Sequence, residues 1–365
     1  MPLKCGIVGL PNVGKSTLFN CLSNAKAQSA NFPFCTIEPN IGVITVPDER
    51  LNKLADIVDP ENVQPTTIDI VDIAGLVKGA SKGEGLGNKF LGNIRETDAI
   101  IHVLRCFDDG NVVHVDGSVD PVRDKETIDY ELILKDLEAI EKKLEKVKRA
   151  AKTGDKTALK TQTVLDKYKQ HFENGMSARS AEVTEDEQKE VADLFLLTAK
   201  PVLYLCNVDE GSIASGNQHV EAVKAAVKNE DAEVLMVAAG LEADIAELED
   251  AEERQLFLED AGLSEPGVNK LIKSAYTLLD LQTYFTAGKK EVRAWTITTG
   301  MTAPQAAGVI HTDFERGFIK AEVIKFQDWV ELGSEQAAKE AGKMNMEGKE
   351  YIVQDGDVMH FKFNV

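Results

Sequence analysis

The stretch from Gly9 to Ser16, GLPNVGKS, limits what this chain can fold into more than any other, because it is a complete G-x-x-x-x-G-K-[ST] phosphate-binding loop. The apolar segment Lys4–Val8 before it is typical of a buried strand, and the pattern from Thr17 to Leu22 after it is typical of a helix. This motif needs a strand, a glycine-containing loop and a helix in that order, so the sequence predicts an α/β domain that binds phosphate here. The alternative is a glycine-rich turn that binds nothing.

The residue types of this loop each have a chemical reason. Gly9 and Gly14 let the backbone turn so that successive N–H groups point at phosphate oxygens. Lys15 is expected to reach the β- and γ-phosphates, which makes it a catalytic group, and the Ser16 hydroxyl is expected to bind Mg²⁺ at the positive end of a helix dipole. The loop residues predicted to bind the nucleotide are Asn12, Val13, Gly14, Lys15, Ser16 and Thr17.

Composition restricts the class of protein. A chain of 365 residues is expected to form two or three domains, and 43% hydrophobic with 28% charged residues is typical of a soluble globular protein. No apolar run is long enough to span a membrane, and the N-terminus has no secretory pattern. The five cysteines form no C-x-x-C pair, which favours reduced thiols and a cytoplasmic location. The net charge of −20 argues against indiscriminate nucleic-acid binding.

Two further elements suit a nucleotide switch. The segment 27–40 is rich in Pro and Asn and reads as a loop, and its Thr36 stands where such proteins usually supply a threonine to Mg²⁺ and the γ-phosphate. The predicted strand 66–72 ends in D-x-x-G, in which Asp72 is expected to hold the metal shell and the Gly75 N–H to meet the γ-phosphate during catalysis. For Thr36 the alternative is an ordinary surface turn.

The residue after D-x-x-G is Leu76, which has no polar atom to orient a water molecule. The glycine-rich segment 79–87 follows it and is expected to be a nucleotide-sensing switch or, alternatively, a plain surface loop. By elimination among six histidines, His114 in the loop 108–117 is the candidate to position water, because loops at the carboxyl end of a parallel strand face the ligand. The alternative is a loop histidine without a role.

The sequence Asn207-Val208-Asp209-Glu210 stands where a guanine-binding protein carries N-K-x-D. Val208 lacks the lysine stem that covers the base, and Glu210 is one methylene longer than the aspartate that binds guanine. Asn207 can pair with adenine through N6 and N7. The predicted nucleotide is therefore ATP in preference to GTP, unless this stretch is only a turn at the end of a strand.

Asn12 suggests a second ion. An asparagine two residues before Gly14 resembles the loop of potassium-stimulated switch proteins, in which its oxygen helps to hold a cation that offsets charge in the transition state. K⁺ is therefore a candidate cofactor besides Mg²⁺. The alternative is a turn residue that stabilises the loop.

The middle and the end of the chain predict two more folding units. Apolar residues at intervals of 3 and 4 from Tyr130 to Val147 predict a helix that pairs with a second one carrying Leu165, Tyr168 and Phe172. A capping box at 184–187 predicts a further helix to Thr198, so 126–198 reads as a helical coiled-coil insertion in a domain spanning 1–280. Strands flanking a single helix within 281–365 suit a β-grasp, ubiquitin-like domain.

Together these motifs resemble the Obg-like ATPase family, also called YchF, over nearly the full length. The resemblance rests on GLPNVGKST at Gly9–Thr17, NFPFCTIEP at Asn31–Pro39, DIAGLVKGA at Asp72–Ala80, NVDE at Asn207–Glu210 and QTYF at Gln282–Phe285. It implies a P-loop G domain with a mainly parallel sheet and a coiled-coil insertion, then a C-terminal TGS domain. It also implies slow ATP hydrolysis and association with the ribosome, the large subunit in particular, with RNA contact through the coiled coil and the TGS domain.

Three functions stay open at this point. The first is an ATP-hydrolysing switch that docks on a ribosomal partner. The second is an ordinary GTP-dependent regulator, and the third is a nucleotide-bound scaffold for other proteins.

Overall fold

The computed structural model describes residues 3–27, 41–73, 87–110, 112, 114–115, 117–248 and 250–364. Its strands in chain order are β1 (Lys4–Val8), β2 (Ile41–Thr45), β3 (Val63–Gln64), β4 (Thr67–Asp72), β5 (Ala99–Arg105), β6 (Val202–Asn207), β7 (Val234–Val237), β8 (Leu281–Ala287), β9 (Val292–Thr298), β10 (Phe318–Lys325), β11 (Asn345–Glu347) and β12 (Asp357–Phe363). Its α-helices are α1 (Lys15–Ala27), α2 (Glu49–Val58), α3 (Gly87–Arg95), α4 (Pro121–Ala151), α5 (Lys156–Glu173), α6 (Glu185–Lys189), α7 (Gln218–Ala226), α8 (Ala239–Glu247), α9 (Ala251–Asp260), α10 (Gly267–Leu278), α11 (Ala303–Ile310), α12 (Thr312–Arg316), α13 (Phe326–Leu332) and α14 (Glu335–Glu340).

The first sheet has the strand order β2-β4-β1-β5-β6-β7. The pairs β1–β4, β1–β5, β5–β6 and β6–β7 are parallel, as the sequence predicts. Every residue of β5 and β6 is buried, which explains their nearly continuous apolar sequences. Parallel strands bring their carboxyl ends to one edge, so the loops after β1, β4, β5 and β6 share that edge of the sheet.

The predicted helical pair is present as α4 and α5. Ile140 and Leu144 of α4 belong to one buried cluster with Leu165 and Phe172 of α5. The predicted seam is wrong at its first position, because Tyr130 is 58% exposed. The helix begins at Pro121, earlier than predicted, and its first turns bury other residues, among them Ile128 and Leu132.

The helix predicted from the capping box is much shorter than expected. The box itself is present, with reciprocal bonds between Thr184 and Glu187, but the helix ends at Lys189. Phe195 has φ +48°, which interrupts helical geometry, and two single 3₁₀ turns flank it. The buried Asp136 carboxylate then accepts hydrogen bonds from the Leu197 and Thr198 N–H groups at 2.8 Å each, which supplies these amides with partners outside a helix.

The second sheet has the order β11-β10-β12-β8-β9-β3. It is mixed, because β10–β12 and β8–β9 are antiparallel whereas β12–β8 and β3–β9 are parallel. Tyr284, Ile297 and Phe361 of this sheet pack against small residues of α11, which form the core expected of a sheet with one crossing helix. The prediction of a single helix in this region is wrong, because α12, α13 and α14 also lie there.

Contacts divide the chain into two compact units, Met1–Gly42 with Asp69–Leu271 and Val43–Ile68 with Ile272–Val365. The sequence predicts a division at 280 and 281, so it misses that 43–68 packs with the C-terminal region. The reason is the pairing of β3 with β9 and of Leu51 and Leu54 with the C-terminal core, which local sequence patterns do not reveal.

None of the helices in the described part of the chain is long and apolar enough to cross a membrane.

Candidate nucleotide-binding site

The phosphate-binding loop joins β1 to α1 at the carboxyl edge of the first sheet, and two glycines make its path possible. Gly14 has φ +97°, and a Cβ there would lie 2.3 Å from Asn207 Nδ2. A Cβ at Gly9 would lie 2.6 Å from the Val103 carbonyl oxygen. A side chain is therefore excluded at both positions, by the positive φ and a close contact at Gly14 and by a close contact at Gly9.

Lys15 is buried at the centre of the loop. Its Nζ donates to the carbonyl oxygens of Gly9 at 3.0 Å and Leu10 at 2.7 Å. Burial lowers the pKa of Lys15 to about 8, and the nearby Asp72 charge opposes that change. The hydrogen bonds of the ammonium to described residues thus go to neutral carbonyl oxygens, and a phosphate oxygen would be a stronger partner.

Asp72 ends β4 beside Lys15. Its Oδ1 is buried and has no hydrogen-bond partner among the described residues. Burial raises the pKa of Asp72, while the Lys15 charge lowers it. A buried carboxylate oxygen without a donor destabilises the folded state unless a cation or a bound water interacts with it. Asp72 therefore fits a divalent metal site.

The rest of the predicted metal and phosphate set is only partly described. Ser16 and Thr17 are exposed at the start of α1, Asn12 is exposed with φ +62°, and Val13 is buried. Thr36 and Gly75, together with Leu76, lie outside the described residues. The structure therefore brings together the loop and Asp72, and leaves the other two predicted ligands untested.

Asn207 joins two backbone segments at this edge of the sheet. Its Nδ2 donates to the Val13 carbonyl at 2.9 Å and its Oδ1 accepts from the Ala239 N–H at 3.0 Å. The side chain is only 2% exposed. Asn207 thus links the phosphate-binding loop to the start of α8, and the second hydrogen of its Nδ2 is the group that the predicted adenine contact would use.

Those neighbours differ in exposure. Val208 is 3% exposed and its N–H donates to the Val237 carbonyl at 2.9 Å. Glu210 is exposed and begins a 3₁₀ turn. Of the two substitutions relative to N-K-x-D, only Glu210 presents a charged group to solvent.

His114 is buried, which the prediction of a loop histidine does not anticipate. Its Nε2 lies 2.8 Å from Asp124 Oδ2, in the first turn of α4. Asp124 is 1% exposed and also accepts from Arg123 Nη2 at 3.2 Å. The ring orientation is therefore set by a buried carboxylate whose importance the sequence reasoning missed. The sequence feature that points to Asp124 is an acidic residue in the first turn of a helix.

Arg105, the last residue of β5, is a second missed residue. It is 1% exposed, and its guanidinium donates to the carbonyl oxygens of Phe107 at 3.1 Å, Asp109 at 3.2 Å and Val112 at 2.9 Å. The five N–H donors of a guanidinium lie in one plane, so one arginine can bond to several carbonyl oxygens of a tight turn. Arg105 therefore fixes the path of the chain toward His114, and a charged residue ending an apolar strand is the signal that points to it.

Comparison with known proteins places these features in a family. Residues 4–167 match a family model described as 50S ribosome-binding GTPase, and residues 281–364 match the YchF-GTPase C-terminal model, described as a protein of unknown function. The chain is 56% identical over 367 residues to the ribosome-binding ATPase YchF of Bacillus subtilis and 57% identical over 365 residues to that of Haemophilus ducreyi, with complete coverage of both chains in each comparison.

Solved structures agree with this result. The Schizosaccharomyces pombe YchF GTPase superposes with a TM-score of 0.89 at 38% identity, covering 99% of this chain and 98% of that one. A GTP-binding protein from Pyrococcus horikoshii superposes with a TM-score of 0.62 at 19% identity, covering 99% and 100%, which shows a shared fold. A P-loop α/β fold and relatives matched from end to end lead to one conclusion, that this chain belongs to the YchF family.

Proposed function

We propose that this chain is a ribosome-binding switch protein that binds ATP and hydrolyses it slowly. The observation that carries the proposal is the pair of a buried Lys15 and a half-buried Asp72, groups of opposite charge at the phosphate-binding loop, in a chain whose full-length relatives are named ribosome-binding ATPases. The test is phosphate release from ATP by the purified chain, with and without ribosomes. Release that Lys15→Ala abolishes supports the proposal. Binding of ATP without phosphate release, in the presence and in the absence of ribosomes, contradicts it and favours a scaffold.

Preference for ATP over GTP follows from the residues at 208 and 210. A buried valine and an exposed glutamate lack the lysine stem and the shorter carboxylate that clamp guanine. Calorimetric titration is expected to give tighter binding of ATP than of GTP. Glu210→Asp alone is expected to raise GTP affinity less than the Val208→Lys, Glu210→Asp double variant, and equal affinities in the wild type contradict the proposal.

A divalent metal ion accompanies phosphoryl transfer in P-loop proteins, and Mg²⁺ is the proposed ion here. Ser16, Thr36 and Asp72 would hold it, and the ion would neutralise the negative charge that develops on the phosphate in the transition state. Asp72 contributes the buried oxygen that lacks a partner among the described residues. Chelation with EDTA is expected to stop hydrolysis, and added Mg²⁺ to restore it. Asp72→Asn should require far more Mg²⁺ for the same rate.

His114 is proposed to position the attacking water, with Asp124 holding its ring and the Gly75 N–H and Lys15 acting on the γ-phosphate. An imidazole placed by a buried carboxylate keeps one orientation, which a water-positioning group needs. His114→Ala is expected to lower turnover about ten- to a hundred-fold with ATP affinity almost unchanged. Asp124→Asn keeps a hydrogen-bonding group and should lower turnover less. Wild-type rates in both variants would assign the water to another group.

Asn12 is proposed to help hold K⁺. Its left-handed backbone, φ +62°, is a conformation that asparagine tolerates better than most residues. Hydrolysis is expected to be faster in K⁺ than in Na⁺ buffer, and Asn12→Ala should remove that difference. Equal rates of the wild type in the two buffers contradict the cation role.

The large ribosomal subunit is the proposed partner, with RNA contacted through the α4–α5 pair and the C-terminal region, which would be a TGS domain. Sedimentation with purified 50S and 30S subunits tests this, with ATP, GTP or no nucleotide present. Co-sedimentation with 50S subunits alone supports it. Binding to 30S subunits alone contradicts it.

A further inference from the structure

Three metal-ligating side chains meet on the second sheet, far in sequence from the phosphate-binding loop. They are Glu322 on β10, His360 on β12 and Glu335 at the start of α14, and one ligand atom from each lies within 4.8 Å of the others. We propose that they form a site for a divalent transition metal ion, with Zn²⁺ as the representative of its class.

The backbone fixes two of the three ligands. Glu322 and His360 are direct partners in the antiparallel register of β10 and β12, and His360 Nδ1 lies 3.7 Å from Glu322 Oε2. Zinc bonds of about 2.0–2.2 Å put two ligands of a tetrahedral ion about 3.4 Å apart. A change of a few tenths of an ångström would therefore let both bind one ion, and Glu335 is an exposed side chain that can adjust.

A second observation comes from beneath the cluster. A cavity of about 20 Å³ is lined by Glu322, Glu335, His360 and Trp329, among others. Trp329 is 4% exposed, and its Nε1 has no acceptor among the described residues. Such a cavity has room for one water molecule. A metal-bound water in this cavity could supply the missing acceptor, and Trp329, as a lining residue, would report on the occupancy of the site.

The donor set selects the class of metal. An imidazole nitrogen with two carboxylates and a water suits Zn²⁺, whereas Mg²⁺ prefers oxygen ligands and its own hydration shell. Lys362 Nζ lies 3.3 Å from Glu322 Oε2, so an ammonium already stands beside one ligand. The metal ion would displace this lysine, and removal of the lysine charge should therefore strengthen metal binding.

The test uses the untagged full-length chain carrying Trp295→Phe, so that Trp329 is the one remaining tryptophan. Titration with ZnCl₂ is expected to change Trp329 fluorescence with one saturable site, and EDTA should reverse the change. Glu322→Gln and His360→Ala are each expected to raise the Zn²⁺ dissociation constant at least tenfold. Lys362→Met is expected to lower it several-fold, and Mg²⁺ at equal concentration should give no change.

The matched control is His311→Ala. His311 is also exposed and its Nδ1 lies 3.4 Å from Asp313 Oδ2, but among the described residues it belongs to no group of three ligands. This variant should bind Zn²⁺ like the parent. The proposal is overturned if Glu322→Gln and His360→Ala titrate like the parent, if Lys362→Met binds no more tightly, or if Zn²⁺ binds without changing Trp329 fluorescence.

Discussion

Asp72 is the last residue of β4 and Asp357 is the first residue of β12, yet the surroundings of these two carboxylates differ completely. Asp357 has a side chain that is 0% exposed and accepts from Lys325 Nζ at 2.6 Å, Tyr351 Oη at 2.7 Å and the Gln354 N–H at 2.9 Å. Asp72 is partly buried and its Oδ1 has no partner among the described residues. The Asp357 carboxylate has three donors within its own fold, whereas Asp72 keeps one buried oxygen without a donor among the described residues.

The same contrast separates the two lysines. Lys325 is paired with Asp357, whereas Lys15 is buried against backbone carbonyls and its pKa is lowered to about 8. Charges left unpaired reduce stability, and they persist where a ligand supplies the missing partner. The comparison therefore identifies the phosphate-binding edge as built for a bound nucleotide and metal, and the Asp357 network as built for stability.

The largest effect is expected from the loop glycines. Gly14→Ala would place Cβ 2.3 Å from Asn207 Nδ2 at φ +97°, so nucleotide affinity should fall about a hundredfold or more because the loop must move. Gly154→Ala is the matched control, since it also has a positive φ of +86° but nothing within 4 Å. It should cost about 1 kcal/mol of stability and leave ATP binding unchanged. Equal loss of binding in the two variants would contradict this account of the loop.

A smaller effect should follow from Lys15, whose Nζ donates to backbone carbonyl oxygens. Because Lys15 has a pKa of about 8 without nucleotide, its charged fraction falls as pH rises above 8. Phosphate favours the charged form, so ATP affinity should drop by up to about tenfold per pH unit above pH 8, with proton uptake on binding. Calorimetry at pH 8 in two buffers of different ionisation enthalpy measures that uptake. Lys15→Arg keeps its charge and should show none.

The smallest effect concerns a buried carboxylate that is satisfied within the first unit. Glu242 accepts from the Gly267 N–H at 2.7 Å and the Val268 N–H at 3.3 Å, where α10 begins. Glu242→Ala would leave these donors without that acceptor, at about 1–3 kcal/mol in the free energy of urea unfolding. Glu247→Ala, on the exposed face of the same helix, should change it by less than about 0.5 kcal/mol. Equal losses of unfolding free energy in Glu242→Ala and Glu247→Ala would contradict the role given to the two hydrogen bonds of Glu242.

The sequence predicts the parts of this molecule that local patterns encode. The phosphate-binding loop, the parallel strands and the α4–α5 pair are each encoded in the residue types of neighbouring positions. It fails where distant segments decide the outcome. The packing of 43–68 with the C-terminal unit and the bonds of the Leu197 and Thr198 N–H groups to Asp136 both depend on residues far away in the sequence.

The site shows the same limit. Glycine positions and the burial of Lys15 follow from the motif, but the role of Asn207 does not. Its two hydrogen bonds reach Val13 and Ala239, which lie 194 and 32 residues away. Asp124 and Arg105 were missed for a related reason, since a carboxylate or guanidinium reveals its partners only after the chain has folded.

The most direct test of the central claim compares Asp72→Asn with Asp357→Asn in EDTA without nucleotide, by urea unfolding followed with far-UV circular dichroism. The pKa of Asp72 is raised in the fold, so its ionised form reduces stability at pH values above that pKa. Asp72→Asn should therefore be at least as stable as the wild type at pH 7, and any gain should disappear at pH 3, where the wild-type carboxyl is protonated. Asp357→Asn should lose about 2–4 kcal/mol, because its amide faces the Lys325 ammonium. A loss in Asp72→Asn as large as that in Asp357→Asn would contradict the account.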